Sequence, residues 1–157
     1  MNMVRIWAGG IDPPDAVFDA CDTAGILVWQ DFMLANMVPA EGAFLNNVLA
    51  EAREQAARLS THPSIALLCG NNELDVAWKN WGWQKKYDQL GADSARVYQT
   101  NQELWAHQLA DVASAAGLPY TWTSPLGNWG NAAGLRSGDL HYWGVWHGDE
   151  PIAALAD

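Results

Sequence analysis

The sequence predicts an α/β fold, with about five parallel strands and intervening helices. Short apolar runs alternate along the chain with longer segments whose apolar residues recur at helical spacing. The apolar runs lack polar alternation, which is typical of strands that are covered on both faces. Polar and aromatic residues follow the predicted strands, at the edge where α/β proteins carry their sites.

The first two strands are predicted over residues 4–7 and 26–29, with a helix between them. Asp12 is the predicted N-cap of this helix, because Pro13 suits the first helical position, where no N–H is needed. Gly25 is the predicted C-cap, since glycine adopts the left-handed conformation that ends many helices.

Two longer helices are predicted over residues 42–61 and 94–116, on either side of a third strand over residues 65–69. Pro63 follows the first of these helices and Gly117 the second, and both residues are typical of helix ends.

The segment 72–91 is rich in aromatic residues and predicts irregular structure. If it were helical, Trp78 and Trp81 would share a core face; a loop with rings that stack on a ligand explains the pattern at least as well. Residues 120–123 and 140–143 predict the fourth and fifth strands.

Composition excludes several classes of protein. The 157 residues include 8 Lys and Arg and 18 Asp and Glu, so the net charge is −10 and no nucleic-acid partner is expected. No apolar run reaches the roughly eighteen residues of a membrane span, so no membrane partner is expected either. Two cysteines cannot form a disulfide framework. Ten Trp residues indicate a bulky core or a cleft that stacks on flat ligands such as sugars.

Two architectures fit this order of elements, an open doubly wound sheet and a (β/α)8 barrel. The chain has no glycine-rich phosphate motif of the kind that marks many open sheets. Residues at the strand ends favour the barrel: Trp7, Gln30-Asp31, Asn71-Asn72-Glu73, Ser124 and Trp146-His147. Because a complete barrel needs about 250 residues, the sequence predicts a partial (β/α)8 barrel.

Glu73 is the sharpest candidate for chemistry, because it follows a buried strand directly and lies beside an amide side chain. Apolar surroundings raise the pKa of a carboxyl group toward neutrality, which suits a general acid. The alternative is structural: Asn71 and Asn72 form the turn, and Glu73 caps the next helix.

Asp31 and Arg5 are further candidates. Asp31 can be a second carboxylate or a hydrogen-bonding orienter, although a helix cap or a turn is the favoured interpretation. Arg5 lies within an apolar strand and therefore requires a carboxylate partner, for a structural purpose or to orient an acid. Asp139 and His141 form an Asp-x-His pair near His147, but no third ligand follows at metal-like spacing, so no metal site is expected.

Four segments of the chain together resemble the catalytic barrel of β-mannosidases in glycoside hydrolase family 2. These are NMVRIWAGGI, FDACDTAGILVWQDFM, HPSIALLCGNNE and GDLHYWGVWHG. Asn-Glu at a strand end is shared by many retaining glycosidases, whereas WQDFM and HYWGVWHG resemble the mannosidase branch in particular.

The resemblance implies a role for each matching residue. Glu73 would be the general acid/base, Asn72 would bind the sugar 2-hydroxyl, and Arg5 would support the carboxylate of the nucleophile. Trp81 would shape the sugar pocket. The further substrate-binding residues would be Trp7, Asp31, His141, Trp143 and Trp146. The implied substrate is a β-mannoside oligosaccharide, and no cofactor is implied.

The resemblance also implies a missing partner for Glu73. Retaining glycosidases use two carboxyl groups about 5–5.5 Å apart. The nucleophile of the family lies in a SEFG-like segment that this chain does not contain, and Asp139, Asp149 and Glu150 lack its context. We therefore expect residues 1–157 to be an incomplete catalytic domain, without the nucleophile-bearing strand and β-sandwich domains. The isolated chain should be inactive and should need the other barrel segments of its parent.

Two other functions remain open from the sequence. One is a related family 2 exo-β-glycosidase with another sugar preference. The other is an inert sugar-binding or structural chain, which the absent nucleophile and the many Trp residues favour.

Overall fold

The computed structural model describes residues 1–39, 42–129 and 138–153, which form two units. The first unit is Met1–Thr123 and the second is Ser124–Asp157.

A four-stranded parallel sheet is the centre of the first unit, with its strands in sequence order. The strands are β1 Met3–Ile6, β2 Leu27–Asp31, β3 Ile65–Cys69 and β4 Tyr120–Thr121. The α/β class and the parallel sheet are therefore confirmed, and β3 has the predicted bounds.

The register of the sheet brings the strand ends together at one edge. Arg5 of β1 pairs with Trp29 of β2, and Asp31 at the end of β2 pairs with Cys69 at the end of β3. Cys69 pairs in turn with Thr121 of β4. Because all pairs are parallel, residues that follow the strands meet at this edge.

Helices connect the strands of the first unit, as predicted. They are α1 Asp15–Ala24, α2 Ala43–Leu59, α3 Leu74–Asn80, α4 Trp83–Gln89, α5 Ser94–Glu103 and α6 Leu109–Ala115. A π-helical segment, Leu104–Gln108, joins α5 to α6, so the helix predicted over residues 94–116 is continuous but locally widened.

The start of α1 differs from the prediction. Pro14, not Asp12, is the N-cap, and it makes no side-chain cap hydrogen bond. The reason is Pro14 itself: a residue that precedes a proline is disfavoured in the helical region, so Pro13 cannot begin the helix. The end of α1 is as predicted, with Gly25 in the left-handed conformation at φ 67°.

The segment predicted to be irregular contains α3 and α4 instead. Asn71 Oδ1 accepts a hydrogen bond from Leu74 N at 3.0 Å, which stabilises the first turn of α3. Gly82, at φ 75°, separates the two helices. Sequence periodicity missed them because each helix has only seven residues.

The core of the first unit packs α1, α2 and the α5–α6 helix against the sheet. Its fully buried side chains include Phe18, Val28, Leu68, Trp105 and Leu109. Burial of β2 is incomplete, because Leu27 at its first position is 44% exposed. In the described part of the chain, every helix is too short or too polar to cross a membrane.

The second unit contains a separate pair of parallel strands, β5 Asn128–Trp129 and β6 Leu140–His141. The short helix α7, Gly144–His147, follows β6. The predicted fifth strand is thus shortened from residues 140–143, and among the described residues it pairs with β5 rather than extending the four-stranded sheet. The sequence did not reveal β5, because it has only two residues.

Candidate active site

Arg5, Asp31 and Asn72 form one hydrogen-bonded network at the carboxyl edge of the sheet. Arg5 Nε donates to Asp31 Oδ1 at 3.1 Å, and Arg5 Nη2 donates to Asp31 Oδ2 at 2.8 Å. The same Nη2 also donates to Asn72 Oδ1 at 3.0 Å. One guanidinium therefore joins residues from the ends of β2 and β3.

Asp31 is the buried anchor of this network. Its side chain has no exposed surface, and it also accepts hydrogen bonds from Ala8 N at 3.3 Å and Trp29 Nε1 at 3.0 Å. It is therefore neither a helix cap nor a turn residue, and that favoured interpretation was wrong. Its two charge-assisted hydrogen bonds hold the Arg5 guanidinium in a fixed plane.

Arg5 has the carboxylate partner that its apolar strand requires, and its guanidinium also lies over the Trp29 ring at 5.1 Å. About a quarter of its side chain is exposed, at 27%. Because Arg5 occupies Asn72 Oδ1, the buried Asn72 amide presents its Nδ2 as a hydrogen-bond donor. Such a donor can bind a hydroxyl oxygen.

Glu73 follows this network directly, in the left-handed conformation with φ 60° and ψ 7°. It occupies the N-cap position of α3, but its side chain makes no cap hydrogen bond; Asn71 Oδ1 binds Leu74 N instead. Glu73 is therefore at the position that the structural alternative gives it, but the side-chain hydrogen bond that caps the helix comes from Asn71. A left-handed conformation costs a residue other than glycine about 1–3 kcal/mol, and residues with such strain cluster at active sites, ligand clamps and switch regions.

Asn71 and Thr123 hold the turn that carries Asn72 and Glu73. Asn71 Oδ1 accepts a hydrogen bond from Thr123 Oγ1 at 2.9 Å, and Asn71 Nδ2 donates to Trp122 O at 3.0 Å. Sequence reasoning treated Asn71 only as a turn residue and did not select Thr123. The sequence signal that could have indicated this contact is that Asn71 and Thr123 are polar residues that follow two neighbouring strands.

Tyr120 lies in β4 next to this turn and is partly buried against the core. Burial raises the pKa of its hydroxyl far above the ordinary value, with a smaller contribution from Cys69. The protonated hydroxyl donates to Trp105 O at 2.5 Å. Tyr120 is thus a hydrogen-bond donor to the helix layer and not a base.

Two of the tryptophans selected from the sequence are half-exposed, Trp7 after β1 and Trp81 at the C-cap of α3. The indole of Trp7 covers Gly9 so closely that a Cβ on Gly9 would overlap the ring. Trp78, by contrast, is buried and stacks on Tyr98 with ring centroids 5.5 Å apart. In α3 and its C-cap, Trp78 is thus a core ring and Trp81 an exposed one.

The second unit contains the remaining candidates, His141, Trp143 and Trp146. His141 Nε2 lies 2.9 Å from Ser124 Oγ, which also donates a hydrogen bond to Asp139. Trp143 contacts the His147 ring at a centroid distance of 5.1 Å, and Trp146 is 72% exposed. This unit thus presents aromatic and imidazole side chains near β6 and α7.

Comparison with known proteins identifies relatives over nearly the whole chain, although no family model matches it. A β-mannosidase B from Thermothelomyces thermophilus is 39% identical over 154 residues, which are 94% of this chain and 18% of the relative. A β-mannosidase from Rattus norvegicus is 47% identical over 83 residues, which are 52% of this chain and 9% of the relative.

Comparison with solved structures also identifies a β-mannosidase. The crystal structure of a β-D-mannosidase from Dictyoglomus thermophilum aligns with a TM-score of 0.75 and 35% identity, over 95% of this chain and 17% of that one. A Bacteroides uniformis β-glucuronidase aligns with a TM-score of 0.58 and 25% identity, over 73% of this chain and 13% of that one.

The chain therefore spans less than a fifth of the length of the β-mannosidases that it matches over nearly its whole length. By sequence and by structure, the chain is a homologue of one segment of the β-mannosidases.

Proposed function

We propose that this chain is the acid/base-bearing segment of a retaining β-mannosidase. The observation that carries the proposal is the strand-end unit of Asn72 and Glu73, in which Asn72 is bound by the Arg5–Asp31 pair. It lies in a chain whose relatives are named β-mannosidases. The substrate is a terminal β-D-mannoside of an oligosaccharide or glycoconjugate.

Glu73 is the general acid/base in this proposal. In the first step its carboxyl group donates a proton to the glycosidic oxygen as the bond to the anomeric carbon breaks. In the second step the carboxylate removes a proton from the water that attacks the glycosyl-enzyme. The left-handed backbone of Glu73 sets the direction in which its side chain leaves the turn.

Asn72 is the substrate-binding neighbour of Glu73. With Oδ1 bound to Arg5, its Nδ2 donates to the sugar 2-hydroxyl, a contact that strengthens in the oxocarbenium-like transition state. Arg5 orients that amide and supports the carboxylate of the nucleophile, while enclosed Asp31 acts through Arg5. In the first unit, the exposed rings of Trp7 and Trp81 are the proposed pocket members. In the second unit, Trp143, Trp146 and the imidazole of His141 are proposed separately as substrate-binding residues.

The nucleophile belongs to a part of the parent protein that this chain lacks. The four parallel strands are the proposed middle of a (β/α)8 barrel, and residues 1–157 are an incomplete catalytic domain. The relatives are about five times longer than the matched segment, which leaves room for the remaining barrel strands and the β-sandwich domains. The isolated chain therefore has an acid without a nucleophile and is inactive in this proposal.

A second candidate is a family 2 exo-β-glycosidase with another sugar preference, which the similarity to a β-glucuronidase structure favours. The test uses the full-length protein that carries this chain, with p-nitrophenyl β-mannoside, β-glucoside, β-galactoside and β-glucuronide. We expect kcat/KM to be at least about tenfold higher for the mannoside, a difference of about 1.4 kcal/mol in transition-state binding. A higher value for another glycoside would identify the second candidate. Absence of turnover, with retained binding of mannose, would identify a sugar-binding protein.

A further inference from the structure

We propose that Asn71 is a positioning residue for Glu73, acting as a clamp between β3, β4 and α3. The inference rests on the proposed function, in which Glu73 is the acid/base. It adds a residue that does not touch the substrate but determines where the Glu73 carboxyl group lies.

The Asn71 side chain is fully buried and has three hydrogen-bond partners, two after the end of β4 and one at the start of α3. Nδ2 donates to Trp122 O at 3.0 Å, after the end of β4. Oδ1 accepts from Thr123 Oγ1 at 2.9 Å and from Leu74 N, at the start of α3, at 3.0 Å. One amide therefore fixes the turn relative to the sheet and the helix.

Glu73 lies between two residues that this clamp immobilises, Asn71 and Leu74. The left-handed conformation at φ 60° is unfavourable for glutamate and persists only where the surroundings enforce it. If the clamp is removed, the backbone of Glu73 can relax to another region, and its carboxyl group moves by a distance that matters for proton transfer.

The neighbouring backbone supports the same role. Gly70 N donates to Thr121 O at 2.9 Å, and a Cβ on Gly70 would overlap the Tyr120 hydroxyl and crowd the Trp122 carbonyl. The ends of β3 and β4 thus approach closely enough for the short Asn71 side chain to bridge them.

Asn101 provides a matched control. It is also fully buried, and its Nδ2 donates to Pro39 O at 2.7 Å and Val97 O at 2.8 Å. Neither of these two backbone carbonyls belongs to the turn that carries Glu73. Asn71→Ala and Asn101→Ala each remove a buried amide from the core, but only the first removes a partner of the turn.

The experiment measures kcat/KM of the full-length protein with 2,4-dinitrophenyl and phenyl β-mannosides. Dinitrophenolate leaves without a proton, whereas phenolate needs one, so the ratio of the two values reports general-acid assistance. The variants are Asn71→Ala, Asn101→Ala, Thr123→Val, Thr123→Ser and, as the reference for complete loss of the acid, Glu73→Ala. Circular dichroism establishes which variants fold.

We expect Glu73→Ala to raise the ratio at least about 100-fold and Asn71→Ala at least about tenfold. Asn101→Ala should change the ratio less than about twofold, even if it lowers the unfolding temperature. Thr123→Val should raise the ratio in the same direction as Asn71→Ala, and Thr123→Ser, which keeps the hydroxyl donor, should restore it.

A ratio that rises in Glu73→Ala but stays unchanged in folded Asn71→Ala would overturn the positioning role and leave the proposed function intact. If Asn71→Ala does not fold, Thr123→Val decides by the same criterion. A ratio that does not rise in Glu73→Ala would instead refute the proposed function. An equal rise in Asn101→Ala would mean that loss of stability, not positioning, causes the effect.

Discussion

Arg5 and Asp31 meet through two parallel hydrogen bonds, from Nε to Oδ1 at 3.1 Å and from Nη2 to Oδ2 at 2.8 Å. This geometry depends on the pairing of Arg5 with Trp29, which places Asp31 two residues further along the neighbouring strand. Trp29 and Asp31 lie on the same face of β2, so the indole N–H also reaches the carboxylate. The pair fixes the orientation of the Asn72 side chain, which precedes Glu73 in the candidate site.

Replacement of Asp31 by Asn should destabilise the protein by about 2 kcal/mol, because Arg5 loses a buried charged partner. The control is Asp15→Asn, which affects the Arg58–Asp15 pair, whose Asp15 side chain is 62% exposed. A pair of that kind contributes less than about 1 kcal/mol. Urea unfolding midpoints of the full-length protein would test this. Equal shifts for both variants would show that the Arg5–Asp31 pair contributes no more to the free energy of unfolding than the exposed Arg58–Asp15 pair.

Asp31 was expected to be a cap or turn residue but binds Arg5, which shows that local structure was predictable from the sequence and long-range contacts were not. Strand β3 and the position of Glu73 were predictable, because five apolar residues follow Pro63 and a polar turn follows them. The bond from Arg5 to Asp31 spans 26 residues and depends on the parallel register, which no local pattern encodes. The turn position of Asn71 was predicted, but its partners were not, because Thr123 and Trp122 approach it only in the folded sheet.

The errors in the predicted helices have local causes. Asp12 has the chemistry of an N-cap, but Pro14 excludes Pro13 from the helix and moves its start to Asp15. Helices α3 and α4 have seven residues each, too few for a clear apolar period, and their boundaries depend on Asn71 and Gly82.

Gly9→Ala should displace the Trp7 indole, because a Cβ at this position would overlap the six-membered part of the ring. Trp7 is half-exposed and can move without unfolding the core. If it is a pocket residue, KM for an aryl β-mannoside should rise several-fold while the unfolding temperature changes little.

Gly10→Ala is the matched control for Trp7, since a Cβ there would lie 3.8 Å from Trp7 O, in ordinary contact. Steady-state kinetics of the two variants should differ, with Gly10→Ala close to the parent. Unchanged kinetics in Gly9→Ala, with a changed Trp fluorescence spectrum, would remove Trp7 from the proposed pocket.

Asp22→Asn should lower stability at neutral pH but have a smaller effect in acid. Ser64 N donates to Asp22 Oδ1 at 2.8 Å, and His62 Nδ1 lies 2.8 Å from Oδ2. Hydrogen bonding from Ser64, and then from His62, holds the pKa of the Asp22 carboxyl below its ordinary value. A lowered pKa in the folded state stabilises the protein above the ordinary value of about 3.9, and this stabilisation is lost as the pH falls through the folded-state pKa.

The measurement is the difference in unfolding temperature between parent and Asp22→Asn from pH 7 down to pH 3. It should be largest at pH 7 and shrink below about pH 4, where the Asp22 carboxyl group of the unfolded parent binds a proton before that of the folded protein does. The exposed Asp19 carboxylate lies 3.8 Å from His62 Nδ1, so Asp19→Asn should have little effect at any pH. A difference for Asp22→Asn that is constant with pH would contradict this role of the charge.

The identity of Glu73 as the acid/base is tested most directly by the product that Glu73→Ala forms in the presence of azide. The full-length variant should form the glycosyl-enzyme from 2,4-dinitrophenyl β-mannoside and then stall, because no base activates water. Azide needs no base and can occupy the space left by the side chain. It should restore turnover and yield β-mannosyl azide, the product of two inversions at the anomeric carbon. An α-mannosyl azide would make Glu73 the nucleophile, and neither a burst nor rescue would show that Glu73 is not catalytic.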